Sequence, residues 1–477
     1  MKKKLVFIML ILVLIISLFA CKDKMDQKNS HIDYNITITG QNNVYTVEQS
    51  TTIKNVYKDD LDHLIFNLYA NAYREDAENK AYTAKLTSYG QIDIESVSVD
   101  GQNCKYELEQ DNSILNVAIP ALAINKSICV VMAYQVTLPE CNIRMGVSGD
   151  CTKLANFYPQ LAVYENDSFR CDVYTTIGDP FYSNTANYEV TITAPQDSVI
   201  ASSGVLQKST ETPDGIENKY IAKDIRDFVI VIDKNLLVEK GNIGDTEVLY
   251  YYYEDQDPQA TLKYALDAMS IFNDKYGAYP YPTLSIVMTD FESAGMEYGC
   301  LVYVALDTMN IEDTIVHEIA HQWWYGIVGS DSINHAFLDE GLACFSTLYY
   351  YKQIYGQEKF DDSLKAISDS YTLYERIQKM RKTEEDLSIN RSIYDLTQYQ
   401  YEMLAYRKST MMFAHLMQTM GEAKFNKALS NYVKNNRYKI ANANALISEL
   451  NKAYGSDIGG LVKGWLGNGA RVTMMSN

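Results

Sequence analysis

Several things are scarce in this chain. Proline occurs nine times in 477 residues and no block is of low complexity, so the composition is that of a globular protein and not of a disordered one. None of the eight cysteines forms a C-x-x-C pair, which leaves a thiolate zinc site unsupported. No internal repeat of solenoid or propeller length is present. Positive charge is in deficit: 42 Lys and Arg face 61 Asp and Glu, a formal net charge of −19. That argues against nucleic-acid binding, which needs a basic face. Histidine is rare at six copies, so two of them four residues apart carry weight.

The N-terminus reads as a targeting segment. "MKKKLVFIMLILVLIISLFAC" has lysines, an apolar run from Leu5 to Phe19, then Ala20-Cys21, the layout of a secretory signal. A cysteine at that point resembles a bacterial lipoprotein signal. The expectation is a signal peptide over residues 1–20 and a lipid-modified Cys21, with an uncleaved membrane anchor and plain secretion as the alternatives. Residues 21–30 then form a tether to the extracellular face of the cytoplasmic membrane, where two acyl chains hold where one does not. Removing residues 1–20 deletes three lysines and takes the net charge to −22.

The rest of the chain falls into two halves of different periodicity. From residue 31 to about 235, short runs such as "YNITITG", "HLIFNLYA" and "NYEVTITAP" are rich in Val, Ile, Thr and Tyr. Turn signals such as Asp100-Gly101 separate them, as in an antiparallel β-saddle or sandwich. From 236 to 477 helical spacing takes over, beginning with "DPQATLKYALDAMSIFNDKYG" and interrupted by the short strands "LSIVMTD" and "CLVYVA". The fold class is therefore α+β and multidomain, an N-terminal β domain followed by a mostly helical domain with a small sheet.

"DTIVHEIAHQWWYG", residues 313–326, contains H-E-x-x-H. Random matches in a chain with this little histidine number about 0.005. On a helix His317 and His321 share one face, so two imidazoles can reach one ion. Glu318 lies about 100° round the axis, where a base for a metal-held water belongs. Hydrolytic zinc needs a third protein ligand and an open position. Glu340 in "HAFLDEGLACF", after a turn region and the start of another helix, offers one; His335, next to that turn, competes for the place. Trp323 and Trp324 read as core. Asp339 reads equally as the outer partner of a ligating histidine or as an exposed helix residue.

"HEIAHQWWYG" followed by "LDEGLA", with "GDPFYSNTANYEVTITAP", "ANFYPQLAVY" and "AGMEYG" upstream and "YRKSTMMFAHLMQTMG" downstream, resembles the aminopeptidase N family of zinc metallopeptidases, of the gluzincin type. The resemblance implies a β-saddle domain followed by a thermolysin-like catalytic domain, one Zn2+ ion, and substrates that are peptides with a free N-terminus. It implies Glu318 as general base. Tyr406 matches the tyrosine of a Tyr-x-Lys-Gly-like segment and would stabilise the oxyanion, with Ser409 in place of the glycine; Tyr401 and Tyr399 are its substitutes. Ala294, Gly295, Met296 and Glu297 match a Gly-x-Met-Glu-Asn-like motif, with Tyr298 for the asparagine. This makes Gly295, Met296 and Glu297 substrate-binding and Glu297 the anchor of the substrate ammonium. Counting back without gaps places a second acid near Asp150. Phe337 stands where the family often has tryptophan. A zinc endopeptidase on the same scaffold and a non-catalytic surface binding protein are the alternatives.

Overall fold

The computed structural model describes residues 30–41, 43–381 and 386–467; the signal segment, Cys21 and the tether up to residue 29 lie outside them. Among the described residues the chain divides into two compact units. One runs up to Tyr174 and adds Ser183–Asn235; the other joins Thr175–Tyr182 to the chain from Leu236 onward. The short excursion Thr175–Tyr182 is the departure from a simple boundary near residue 235. Among the described residues no helix is long and apolar enough to cross a membrane, and none of the seven described cysteines is joined in a disulfide.

The first unit is built on period-two alternation. In Ile32–Gln41 the side chains of Ile32, Tyr34, Ile36 and Ile38 are buried, as expected of a strand with one face on a core. This strand lies in an eight-stranded sheet ordered Val205–Thr212, Gly215–Ile225, Ala186–Ala194, Ile32–Gln41, Val44–Lys54, Ser127–Thr137, Gln91–Val99, Gln102–Asn103. One pairing departs from the antiparallel expectation: Ile32–Gln41 runs parallel to Ala186–Ala194. Most of the unit's chain intervenes between these two strands, so no hairpin dictates their direction. Two four-stranded sheets and a two-stranded one complete the unit. Tyrosines fill much of its core. Tyr34 stacks on Tyr188 with centroids 5.0 Å apart, and the Tyr158 and Tyr188 hydroxyls lie 2.9 Å apart, so the buried phenols satisfy one another.

The second unit carries a five-stranded mixed sheet in the order Leu237–Ile243, Thr246–Tyr252, Thr283–Thr289, Leu301–Ala305, Gly295–Met296. Gly295–Met296 is an edge, antiparallel to Leu301–Ala305. Helix α1 (Pro258–Tyr276) starts on Asp257, whose carboxylate accepts from the Ala260 amide at 3.1 Å. It ends at Gly277, where φ is 116°, a conformation that favours glycine. Helix α2 (Ile311–His321) is capped by Asn310 and has Glu312 and Asp313 in its first turn, each favourable at a helix N-terminus. Helices α3 (Glu340–Tyr355), α4 (Gln357–Arg381) and α5 (Ser409–Met420) follow, then three more to Leu466.

Trp323 and Trp324 are core, as their sequence context implies. Trp323 donates its indole N–H to Gly277 O at 2.8 Å and Trp324 donates to Ser346 Oγ at 2.9 Å. These bonds tie the end of α2 to α1 and α3, which sets the two ligand-bearing helices against each other.

Candidate metal centre and active site

The helix bearing His317 and His321 does not stop after the second histidine. It widens into a π-type turn over Gln322–Ile327, with the Val328 amide bonded to Trp323 O at 3.1 Å. A second π-type segment, Glu402–Lys408, carries Tyr406. Such turns shift side chains off the regular helical face and recur at functional sites.

His317 Nε2 and His321 Nε2 are 3.0 Å apart, and each is 3.4 Å from Glu340 Oε2. Three donors bound at about 2.0–2.1 Å with tetrahedral angles would stand roughly 3.3 Å apart, so the triangle matches a zinc site. Glu340 Oε2 is buried and accepts no hydrogen bond, and an orphan carboxylate oxygen facing two imidazoles is a vacancy of charge that a cation fills. His335, the competing ligand, is instead bonded through Nδ1 to Asn390 Oδ1 at 2.6 Å and is outside both candidate ligand groups. Glu340, and not His335, is the residue grouped with His317 and His321.

Outer contacts fix these ligands. Asp339, only 3% exposed, takes His321 Nδ1 at 2.5 Å, the arrangement that orients a metal-binding imidazole. Cys344 Sγ lies 3.8 Å from His317 Nδ1. Glu340 Oε1 accepts hydrogen bonds from the hydroxyls of both Tyr401, at 3.2 Å, and Tyr406. Tyr399 is half exposed and packs on Tyr374, away from this network. Ser409, where a glycine was expected, is fully buried and donates to Leu404 O at 2.8 Å. The close approach is transferred to Gly341, whose added Cβ would meet Ser409 Cβ at 2.5 Å. Phe337 is fully buried.

Glu297, Glu318 and His321 each offer a ligand-type atom within 4.8 Å of the others, and all three are buried. Gln322 holds this geometry: its side-chain amide donates to Tyr298 O at 3.0 Å and accepts from the Cys300 amide at 2.9 Å. The residue after the second histidine thus clamps the loop that follows Glu297. Cys300 needs the clamp, since its φ of 62° is uncommon for a residue with a side chain.

Electrostatics follow from burying many carboxyls together. Burial pushes Glu297 well above the usual carboxyl range, and the charge of Asp179 pushes it further. Burial raises Glu318 to about 7, opposed by His317 and His321. Asp339 is raised to about 6 by burial against the pull of His321. For Glu340 burial acts upward too, but the nearby imidazoles of His317 and His321 outweigh it and the carboxyl is held low. Burial lowers His321, and Asp339 and Glu297 more than reverse that. A nest of acids around two imidazoles is a natural seat for a divalent cation.

Asp179 is the residue that sequence reasoning passed over. It is 9% exposed, lies in the excursion Thr175–Tyr182, and acts electrostatically on Glu297, Glu318, Asp339 and Tyr406. Its neighbour Gly178 has φ of 64°, and a Cβ there would meet Tyr401 Cζ at 2.8 Å. Asp150, suggested by ungapped counting, is a half-exposed residue of the first unit, paired with Lys234 at 3.2 Å and Asn235 at 3.1 Å. The signal for Asp179 lay in "GDPFYSNT", where an acid follows a glycine that the turn demands.

Residues 260–465 match the peptidase family M1 domain. The chain is 22% identical over 304 residues to aminopeptidase M1-B of Oryza sativa subsp. japonica, covering 59% of this chain and 34% of that one. It is 26% identical over 259 residues to endoplasmic reticulum aminopeptidase 2 of Bos taurus, covering 50% and 26%. The chain thus spans about a third or less of these relatives' length. Among solved structures, the M1 zinc metallopeptidase from Deinococcus radiodurans matches with a TM-score of 0.68 at 15% identity, over 94% of this chain and 97% of that one. A mutant of that protein bound to a Tyr-Ser-Ala substrate matches with a TM-score of 0.67 at 14% identity, over 94% and 96%. With the H-E-x-x-H helix, the Glu340 carboxylate beside it and the two-unit fold, residues 260–465 are similar to the M1 peptidase domain, and the fold is that of two-domain M1 zinc metallopeptidases.

Proposed function

We propose that this protein is a zinc aminopeptidase that removes single residues from the free N-termini of peptides. The observation that carries this reading is the nearness of Glu297 to Glu318 and His321, within 4.8 Å. In a peptide the terminal nitrogen is two bonds, roughly 2.5 Å, from the first carbonyl carbon. An ammonium held at Glu297 therefore leaves room for one residue before the bond beside Glu318 and His321. An endopeptidase gains nothing from a buried carboxylate there.

His317, His321 and Glu340 would hold one zinc ion, which when bound supplies Lewis acidity to polarise a carbonyl and to acidify water. Glu318 takes the proton from the attacking water and passes it to the leaving amine; burial raises its carboxyl from the ordinary range, which favours a group that both accepts and returns a proton. Tyr406, whose phenol burial and Glu340 keep protonated, donates a hydrogen bond to the oxyanion in exchange for its bond to Glu340. Glu297, with Asp179 adding negative charge, receives the substrate ammonium. The edge strand Gly295–Met296 offers main-chain pairing to an extended peptide, which tolerates many side chains. Export and lipid attachment through Cys21 belong to the same proposal and place the enzyme at the outer face of the cytoplasmic membrane.

The test uses the zinc-loaded protein and its Glu318→Gln variant on peptides with free and N-acetylated termini, with products followed by mass spectrometry. One-residue ladders from free termini only, lost in the variant, are expected. Internal cuts in blocked peptides would overturn the role of Glu297 and favour the endopeptidase.

A further inference from the structure

A cavity of about 600 Å³ opens in the second unit beside the metal ligands. Its lining includes Gly295, His317, Glu318 and Tyr406 but not Glu297. If the substrate ammonium sits at Glu297, the cavity receives the chain on the far side of the cut bond. A volume of this size suits several residues of peptide, not one side chain.

Its outer wall is one face of α4. Lys359, Ser363, Ala366 and Ile367 line the space, and their spacing of four, three and one is that of a single helical face. Apart from Glu318, the acids at the wall are already engaged. Asp313 accepts from the Tyr351 hydroxyl at 2.8 Å, and Glu402 is paired with Arg407 at 2.8 Å. Lys359 differs. Its ammonium lies 5.0 Å from the centre of the Tyr351 ring, and among the described residues it stands in no ion pair. A cation steadied over an aromatic face and left without a carboxylate has a charge to offer to a ligand.

We propose that Lys359 receives the free C-terminal carboxylate of short peptides, so that the cavity selects substrates by length and prefers tri- and tetrapeptides with an unblocked carboxyl end. This inference rests on the aminopeptidase reading. It also runs against the protein's overall field, because a net charge of −19 disfavours an anionic substrate end. A preference for the acid over the amide therefore requires a local cation.

The experiment compares kcat/KM for alanine peptides of two to six residues as free acids and as C-terminal amides, with the zinc-loaded protein and its Lys359→Gln and Lys359→Glu variants. At low salt the acid should be favoured about two- to fivefold at three or four residues, the range of an exposed ion pair, and should lose that advantage as peptides lengthen. Lys359→Gln should bring the ratio to one or below while leaving the amides unchanged, and Lys359→Glu should favour the amide. Cleavage with an acid-to-amide ratio of one or less at every length would overturn the inference alone, as would a ratio that survives Lys359→Gln. Absence of cleavage of any free-amine peptide would instead remove the aminopeptidase reading and the inference with it.

Discussion

Gly295 and Glu318 are packed so closely that no side chain fits between them: a Cβ on Gly295 would lie 2.3 Å from Glu318 Oε1 and 2.6 Å from its Cδ. The glycine is needed for this approach, which seats the Glu318 carboxylate directly against the edge strand. Gly295→Ala should displace the carboxylate by the better part of an ångström. Misplacement on that scale costs on the order of 100-fold in rate. kcat/KM should fall at least that far while zinc content stays at one per chain, because the three atoms nearest the added methyl all belong to Glu318. Activity within a few-fold of the parent would show that Glu318 does not act from this position.

Asp339 is the partner that sets the ring of His321. With Nδ1 bonded to the carboxylate at 2.5 Å, the other nitrogen is directed at His317 and Glu340. Asp339→Ala should lower zinc affinity about 10- to 100-fold, read by competition with a coloured chelator. Asp339→Asn keeps an acceptor and should lie between the two. An unchanged affinity in Asp339→Ala would mean that the backbone alone orients the imidazole.

The grouping of His317, His321 and Glu340 was legible in the sequence because its geometry is local. His317, Glu318 and His321 sit on one helix, and a single short crossing brings Glu340 to them. Asp179 was not legible in the same way. Its place depends on a segment enclosed within the β-rich half of the chain joining the other unit, and no periodicity announces that. The π-type turns at Gln322–Ile327 and Glu402–Lys408 were equally hidden, since both segments keep an ordinary helical composition. The parallel pairing of Ile32–Gln41 with Ala186–Ala194 has no local signal, because alternation fixes which face is buried and not which way a neighbour runs.

His31, at the start of the first strand, gives the first unit a dependence on acid. Burial lowers its pKa from 6.5 to about 4, and its Nε2 lies 3.2 Å from the Tyr57 hydroxyl. Between these values the unfolded chain binds a proton that the folded one refuses, so stability is full above about pH 6.5 and declines as pH falls towards 4. At pH 5 the loss is about 2 kcal/mol. His31→Phe keeps a ring without the titration, and urea unfolding of that variant should lose less stability between pH 7 and 5 than the parent does. Equal losses would place the acid sensitivity elsewhere.

Tyr406 donates its hydroxyl to Glu340 Oε1, and Tyr401 donates to the same oxygen at 3.2 Å. The shared acceptor separates two roles that a single substitution would otherwise confuse. If Tyr406 served only to hold the ligand, Tyr406→Phe would loosen zinc in step with activity. As the oxyanion donor, it should instead leave zinc affinity within a few-fold, because Tyr401 still satisfies Glu340. kcat should then drop by about 100- to 1,000-fold, the usual cost of one such donor, with little change in KM. Tyr401→Phe should show the opposite pattern: kcat near the parent's and weaker zinc retention under chelator. Joint loss of zinc and activity in Tyr406→Phe would assign the phenol to the ligand and leave the oxyanion to another donor.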